Sequence, residues 1–305
     1  MIKFRASSVG NLLVGGNQIT DRQRERLQEL LDKKNNPPPL SDAKRTRLQE
    51  LLVRKSDEAA KPLTAKQEAE LNNLLSLRDN PAPLTAKQQT ELEELIAKRD
   101  AKYEFGATAL SYIRDCWLRN EYGYDEPIVT NEMLKGLLCE DDAIGVVTRQ
   151  VPGPWREKNE LSWENDWFTG TPDIVLDDAI EDVKCSWTIK SYVDVQHPSA
   201  LYWAQGQVYM DLTGRDTFRL CHVLLPTPES IVMEEQKRFY FRFNCDEDDP
   251  HYIQCYRQLE AMHDVSMIPE DQRIKVFEFK REDMYLERLK KRVEQAQQFY
   301  NGLTL

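Results

Sequence analysis

The sequence predicts an α/β protein: a central mixed sheet flanked by helices, interrupted near its N-terminus by an all-α insertion of helical repeats. Three observations carry that reading. Residues 18 to 102 hold four copies of one short helical pattern. From about Tyr103 onward, apolar strand-like runs alternate with helix-period segments, the arrangement that buries a sheet between helices. At 305 residues the chain is long enough for one large domain or two ordinary ones with a real core.

The repeats are ITDRQRERLQELLDKKNNPPP from Ile19, LSDAKRTRLQELLVRKSDEAAKP from Leu40, LTAKQEAELNNLLSLRDNPAP from Leu63 and LTAKQQTELEELIAKRD from Leu84. Each opens with an apolar residue and then Thr20, Ser41, Thr64 or Thr85, side chains that cap a helix N-terminus. Gln23, Gln67 and Gln88 follow three residues later and complete capping boxes, whereas the second repeat has Lys44 there. Leu27, Leu30 and Leu31 recur as Leu48, Leu51 and Leu52, as Leu71, Leu74 and Leu75, and as Leu92, Leu95 and Ile96. That spacing gives each helix one narrow apolar stripe. Prolines end the first three. Four short helices follow, stacked as two antiparallel pairs or as a small solenoid. The expected domains are therefore 1–17 with 103–305, and an inserted arm over 18–102 that acts as a spacer, an oligomerisation element or a guide for DNA or a partner.

After the arm, FGATALSYIRDCWLRNEYG and NEMLKGLLCEDDAIGVVTRQ have helical spacing. WFTGTPDIVL and IEDVKCSW read as strands joined at Asp177-Asp178-Ala179. ALYWAQGQVYMDLTG is a helix ending near Gly214, and FRLCHVLL is a further strand. PESIVMEEQKRFYFRF, DPHYIQCYRQLEAMH and EDMYLERLKKRVEQAQQFY read as helices, with the strand IKVFEF before the last.

Composition narrows the function. No run of about 18 apolar residues exists, so a transmembrane helix is excluded. MIKFRASSVGNLLVGG lacks the apolar stretch of a signal peptide and reads as mature protein, which points to the cytoplasm. The six cysteines are scattered without a CxxC and are expected reduced and mostly buried. A net charge of -11 argues against passive coating of nucleic acid, but not against an enzyme whose basic residues act locally. The arm contributes 17 basic and 15 acidic residues, leaving the remainder near -13.

The reactive groups converge on the paired strands. Asp173 stands in Thr171-Pro172-Asp173, and the next strand carries Asp182-Val183-Lys184. Side chains alternate across a strand, so Asp182 and Lys184 share a face while Glu181, Val183 and Cys185 take the other. Two carboxylates with the Val183 carbonyl suit a hard cation, Mg²⁺ or Mn²⁺, which would acidify water and stabilise charge on a phosphate. Lys184 would position or deprotonate the attacking water. Gln205 and Tyr209 lie four apart on the following helix, hence on one face, and Glu140 on an earlier helix offers a third carboxylate.

GTPD, DVK and QxxxY with an upstream helical Glu resemble the PD-(D/E)XK nucleases, in particular the YqaJ-like viral recombinase, or bacteriophage lambda exonuclease-like, family. The resemblance covers roughly residues 1 to 17 and 103 to 225, and none of the repeats. It implies a restriction-endonuclease-like fold, metal ligands Glu140, Asp173 and Asp182, and a catalytic Lys184. It further implies that Gln205 and Tyr209 support the site or touch DNA. FRASSVGNLL resembles the family's opening segment, where a basic residue and a serine hold a phosphate; Arg5 and Ser8 are the candidates. The implied activity is metal-dependent exonuclease digestion of linear duplex DNA from an end, in viral recombination with a single-strand annealing recombinase as partner. Homo-oligomers occur in relatives. The alternatives are a nuclease acting on single strands, flaps or internal sites, and a non-catalytic DNA-binding scaffold that uses the repeats.

Some relatives hold an iron–sulfur cluster through one upstream and three closely spaced downstream cysteines. Cys221, Cys245 and Cys255 are too widely spaced for that, so no cluster is expected. Cys185 reads as a packed core thiol, and His197, His222, His251 and His263 as structural or surface residues. Trp155, Trp163 and Trp167 are expected to bury against the sheet, while Trp187, Tyr192, Tyr202 and Trp203 are candidates to line a DNA channel.

Overall fold

The computed structural model describes residues 2–17, 19–37, 39–57, 61–79, 84–126, 130–243 and 248–305. Pro38, Pro81, Pro83 and Cys245, singled out above, lie outside this set. The chain divides into two compact units, Met1–Gly15 with Phe105–Leu305, and Gly16–Glu104.

The larger unit opens with β1 (Phe4–Arg5) and α1 (Ala6–Val9). The four helices of the smaller unit are α2 (Asp21–Asn35), α3 (Asp42–Ser56), α4 (Ala65–Asp79) and α5 (Ala86–Asp100). The larger unit resumes with α6 (Ala107–Tyr122), α7 (Asn131–Leu138) and α8 (Glu140–Gln150). Strands β2 (Trp163–Glu164), β3 (Phe168–Gly170), β4 (Ile174–Val175) and β5 (Ile180–Cys185) come next. They lead to α9 (Ile189–Asp194), α10 (Ala200–Thr213) and β6 (Thr217–Val223). The chain closes with α11 (Glu229–Phe243), α12 (Pro250–His263), β7 (Ile274–Lys280) and α13 (Asp283–Asn301).

The main sheet runs β4-β5-β6-β7 and is mixed: β5 and β6 are parallel, and the outer pairs are antiparallel. Alternation along β6 divides its side chains between two cores. Phe218 and Leu220 join Val208 of α10 and Leu289 of α13, whereas Cys221 and Val223 join Val147 of α8. Gly206 lets α10 seat closely, because a Cβ there would stand 2.7 Å from the rings of Phe218 and Phe279.

Two segments differ from the sequence reading. WFTGTPDIVL is two strands in two sheets, since β3 pairs with β1 and β2 while β4 pairs with β5. The break falls at Thr171-Pro172-Asp173, where Pro172 has no N–H to give and Asn159 takes both following carbonyls. Asn159 Nδ2 donates to Pro172 O at 2.8 Å, and the Asn159 N–H donates to Asp173 O at 2.7 Å. NEMLKGLLCEDDAIGVVTRQ is two helices hinged at Cys139 (φ -100°, ψ 4°). Glu140, Asp141 and Asp142 fill the first turn of α8, where negative charge favours a helix start.

In the smaller unit α2 packs on α5 through Leu27, Leu30, Leu92 and Leu95, and α3 on α4 through Leu48, Leu51, Leu71 and Leu74. The helices therefore form two antiparallel pairs, one nested inside the other along the sequence. Thr20–Gln23, Thr64–Gln67 and Thr85–Gln88 make reciprocal capping bonds, and Ser41 makes no side-chain cap. The eighth position of the repeat carries an ion pair across each helix pair. It is Arg26 and Arg47 in the first two copies, Glu70 and Glu91 in the last two. Arg26 forks onto Glu91 with two bonds of 3.0 Å, and Arg47 onto Glu70 with 3.0 and 3.1 Å.

Candidate active site

Asp173 stands at the break before β4, and its Oδ2 accepts the Val183 N–H of β5 at 2.7 Å. That bond ties the two strands where their carboxylates meet. Asp182 is fully buried on β5. Its Oδ1 accepts from Gln205 Nε2 of α10 at 3.2 Å. Gln205 also donates to the Tyr209 hydroxyl at 3.1 Å, and that hydroxyl donates to the Thr171 carbonyl at 3.0 Å. One chain of bonds thus joins α10 to both strands. Lys184 Nζ lies 2.5 Å from Asp182 Oδ2 and 5.5 Å from the centre of the Tyr202 ring.

Burial, and then the neighbouring Asp182 charge, push the Asp173 carboxyl up to about 7; Lys184 and the Val183 N–H oppose the rise. Burial alone would lower Lys184, but Asp182 and Asp173 outweigh it and hold the ammonium above its usual range. The site is therefore an acidic pair with one cation, buried on the sheet and open to a cleft of about 600 Å³. Asp173, Val183, Lys184, Cys185 and Tyr202 line that cleft together with Glu140 of α8 and Met133, Leu134 and Leu137 of α7.

Of the residues expected at the site, Asp173, Asp182, Val183, Lys184, Gln205 and Tyr209 come together. Glu140 lies on the wall of the same cleft, and Lys158 Nζ stands 3.3 Å from its Oε1. Among the described residues no three His, Cys, Asp or Glu side chains converge into a ready cation-holding group. The residue chemistry nevertheless fits a divalent cation. Asp182 is buried with its Oδ2 2.5 Å from the Lys184 ammonium, and with Asp173 and the Val183 carbonyl it offers the hard oxygen donors that such a cation takes. Arg5 is exposed on β1 and Ser8 half-buried on α1; neither lines the cleft.

The aromatic expectations divide. Trp155 is 76% exposed and not buried, while Trp163 and Trp167 are half-buried. Tyr192 is buried and donates to Gln272 O at 3.0 Å, and Trp203 stacks on Phe279, so both belong to the packing and not to a channel. Tyr202 does line the cleft. His222 and His263 are buried, and His197 and His251 exposed.

Sequence reasoning missed three features. The fully buried ion pair of Arg156 with Glu181 anchors the opposite face of β5, with bonds of 2.5 and 3.0 Å. Arg156 sits in a loop without a motif, so no local pattern marks it. Lys158 as the partner of Glu140 has no signal either. The third is the anchor of Cys139, whose thiol donates to the Pro226 carbonyl at 3.9 Å.

No protein-family model and no curated protein matches this sequence. Solved structures do. A phage-related exonuclease from Haemophilus somnus 129PT is 26% identical, with a TM-score of 0.52 over 65% of this chain and 82% of that one. An alkaline exonuclease from Laribacter hongkongensis is 15% identical, with a TM-score of 0.44 over 64% of this chain and 81% of that one. The latter enzyme with dAMP bound is 16% identical at the same TM-score of 0.44. The fold is restriction-endonuclease-like, and the chain belongs to the PD-(D/E)XK nuclease superfamily. Within that superfamily its likeness is to phage-related exonucleases of the lambda exonuclease type.

Proposed function

We propose that this chain is a metal-dependent deoxyribonuclease that hydrolyses duplex DNA from an end. The observation that carries the reading is the pair of carboxylates Asp173 and Asp182 beside Lys184, with Asp173 and Lys184 lining an open cleft. The likeness to a phage-related exonuclease supports the choice of an end-directed reaction.

Asp173, Asp182 and the Val183 carbonyl would hold Mg²⁺ or Mn²⁺, with Glu140 contributing from the cleft wall. Such an ion, when bound, supplies Lewis-acid stabilisation of phosphate charge and acidifies water. Lys184 orients the attacking water and offsets negative charge on the scissile phosphate. Gln205 fixes the Asp182 carboxylate, and Tyr209 fixes Gln205 against the Thr171 carbonyl. Tyr202 presents an aromatic face at the mouth, where a base can stack. Arg5 and Ser8 are assigned to DNA farther from the reacting phosphate. The role in viral recombination, beside a single-strand annealing partner, follows from the same reading.

The test is digestion of end-labelled linear duplex and closed circular DNA with Mg²⁺, using wild type, Asp182→Ala and Lys184→Ala. Loss of linear DNA alone, abolished by either substitution and by EDTA, is the expected result. Equal inertness of all three proteins on both substrates, with Mn²⁺ as well, would overturn the assignment.

A further inference from the structure

Between α8 and β2 the chain runs over residues 151–162 without regular structure, yet two side chains pin it. Arg156 is fully buried on Glu181 of β5, and its Nη1 also donates to the carbonyls of Val151 at 3.0 Å and Pro154 at 3.2 Å. Asn159 holds the other end. Its N–H donates to Asp173 O at 2.7 Å, and its Nδ2 to Pro172 O at 2.8 Å and Leu161 O at 2.9 Å. Lys158 stands between these anchors, so its backbone is fixed and only its side chain can move. Its Nζ lies 3.3 Å from Glu140 Oε1 and 3.0 Å from Asp141 Oδ1, both in the first turn of α8. The Lys158 side chain is 42% exposed and that of Asp141 81%, so water reaches both sides of the bridge. An ion pair at such a surface is held weakly, and a lysine ammonium on its flexible stem changes partner readily.

Glu140 also reaches the cleft from α8, in company with Asp173 and Lys184. A divalent cation and an ammonium cannot share one carboxylate without repelling each other. This side of the mouth is otherwise acidic, with Glu132 on α7 and with Asp141 and Asp142 after Glu140. A DNA backbone arriving there needs a cation brought to it. Resting on the nuclease reading above, we propose that Lys158 is an exchangeable counter-cation, which neutralises Glu140 in the metal-free chain and passes to a DNA phosphate once Glu140 serves a divalent cation. The movement is a rotation of the lysine side chain, because Arg156 and Asn159 keep the segment in place. Cation and DNA then favour each other. Release of Lys158 from Glu140 strengthens the grip on phosphate, and capture of Lys158 by phosphate leaves Glu140 open to the cation.

The experiment uses the full-length protein and a short labelled duplex whose ends carry phosphorothioate linkages. Wild type, Lys158→Gln and Lys158→Arg are titrated with Mn²⁺ in a calorimeter, and with the duplex in EDTA and in Ca²⁺. Loss of the ammonium in Lys158→Gln should tighten Mn²⁺ by roughly two- to fivefold, the range of a surface ion pair. In Ca²⁺ the same variant should hold the duplex about threefold or more weakly, with a salt slope shallower by about 0.9. In EDTA it should hold the duplex as wild type does, because the ammonium is then kept on Glu140. Lys158→Arg keeps the charge and should stay close to wild type on DNA. Glu140→Gln should tighten the duplex in EDTA, and adding Lys158→Gln should remove most of that gain. Unchanged or weaker Mn²⁺ binding in Lys158→Gln, an equal loss of DNA affinity in EDTA and in Ca²⁺, or a Glu140→Gln gain untouched by the second substitution would overturn the exchange. The nuclease reading survives any of these if wild type digests linear DNA. A wild type that binds no Mn²⁺ and digests no DNA overturns that reading, and the exchange falls with it.

Discussion

Lys184 Nζ stands 2.5 Å from Asp182 Oδ2, in an ion pair whose carboxylate is buried. The ammonium therefore balances the charge of Asp182, and Asp173 sets a second carboxylate against the same cation. Lys184→Met removes the only cation set against two buried carboxylates among the described residues lining the cleft. Cleavage should fall by about 10²–10⁴-fold, the range for losing a group that works on a proton in flight. Stability should fall as well, by roughly 1–3 kcal/mol, because an uncompensated charge stays buried. Single-turnover kinetics and urea denaturation measure the two effects separately. A variant as active as wild type would remove Lys184 from the reaction.

The same acidic pair predicts how stability responds to a cation. Mg²⁺ that binds the folded chain alone must raise its melting temperature. Without the ion, the Asp173 carboxyl lies near 7, pushed there by burial and by Asp182. Below that pH the ion has to displace a proton, and above it does not. The gain in Tm should therefore be larger at pH 8 than at pH 6, and absent in Asp182→Asn at both. Calorimetry with Mg²⁺ against EDTA at the two pH values checks the sign.

Much of this site was legible in the sequence because its residues obey local periodicities. Asp182 and Lys184 share a face by strand alternation, and Gln205 meets Tyr209 by helical spacing, so four positions were placed by geometry alone. The repeats declared their helices through capping chemistry in the same way. What was not legible depends on contacts distant in the chain. Which repeat pairs with which was not legible, because the apolar stripes are alike and Arg26 or Arg47 could meet either Glu70 or Glu91. The split of WFTGTPDIVL needed Asn159, from a loop without a pattern, to occupy the carbonyls at the break. Burial of Trp155 was expected from residue type, and its loop leaves it outside. Arg156 could not be paired with Glu181 from sequence, since nothing local marks either residue as the other's partner.

Gln205 is the joint between α10 and the acidic pair. Its single amide nitrogen serves both Asp182 Oδ1 and the Tyr209 hydroxyl. Gln205→Leu keeps the volume but leaves the buried Asp182 Oδ1 with no hydrogen-bond donor, at a cost of about 1–3 kcal/mol. Tyr209→Phe leaves the Gln205–Asp182 bond in place and loses the hydroxyl's bonds with Gln205 Nε2 and Thr171 O, both between neutral groups, at roughly 1 kcal/mol. The order of the two variants in urea melts is the test, and a larger effect for Tyr209→Phe would refute this placement of Gln205.

The arm makes its prediction through charge reversal. Arg47→Glu sets two carboxylates against each other where a forked ion pair had been, and the α3–α4 pair should loosen. Adding Glu70→Arg restores complementarity with the fork reversed. Hydrogen exchange in α3 and α4 should speed up in the single variant and return toward wild type in the double one. Leu51→Ala gives the scale: this side chain is 1% exposed, and its truncation should cost about 2–5 kcal/mol where the arm is well packed. If the double variant exchanges as fast as the single one, the Arg47–Glu70 pair does not hold α3 to α4.

His222 gives the clearest dependence on pH. It faces the ring edges of Tyr202 and Phe277, its Nε2 is buried without a partner, and burial with Lys184 and Lys275 nearby pushes its pKa down to about 4. An unfolded histidine titrates near 6.5. The folded chain thus prefers the neutral ring, and the unfolded chain takes up the proton first. Above about pH 6.5 both states hold a neutral ring and the stability is fully present. As pH falls from there toward 4, each unit weakens the fold by at most about 1.4 kcal/mol, for a loss of roughly 1–3 kcal/mol. His222→Gln cannot titrate, so the difference between wild type and this variant should change with pH by that amount and level off above 7. Paired urea melts from pH 4.5 to 8 isolate it from the carboxylates, which titrate alike in both proteins. A difference constant across that range would mean that His222 titrates alike in the folded and unfolded chains, against the burial argued here.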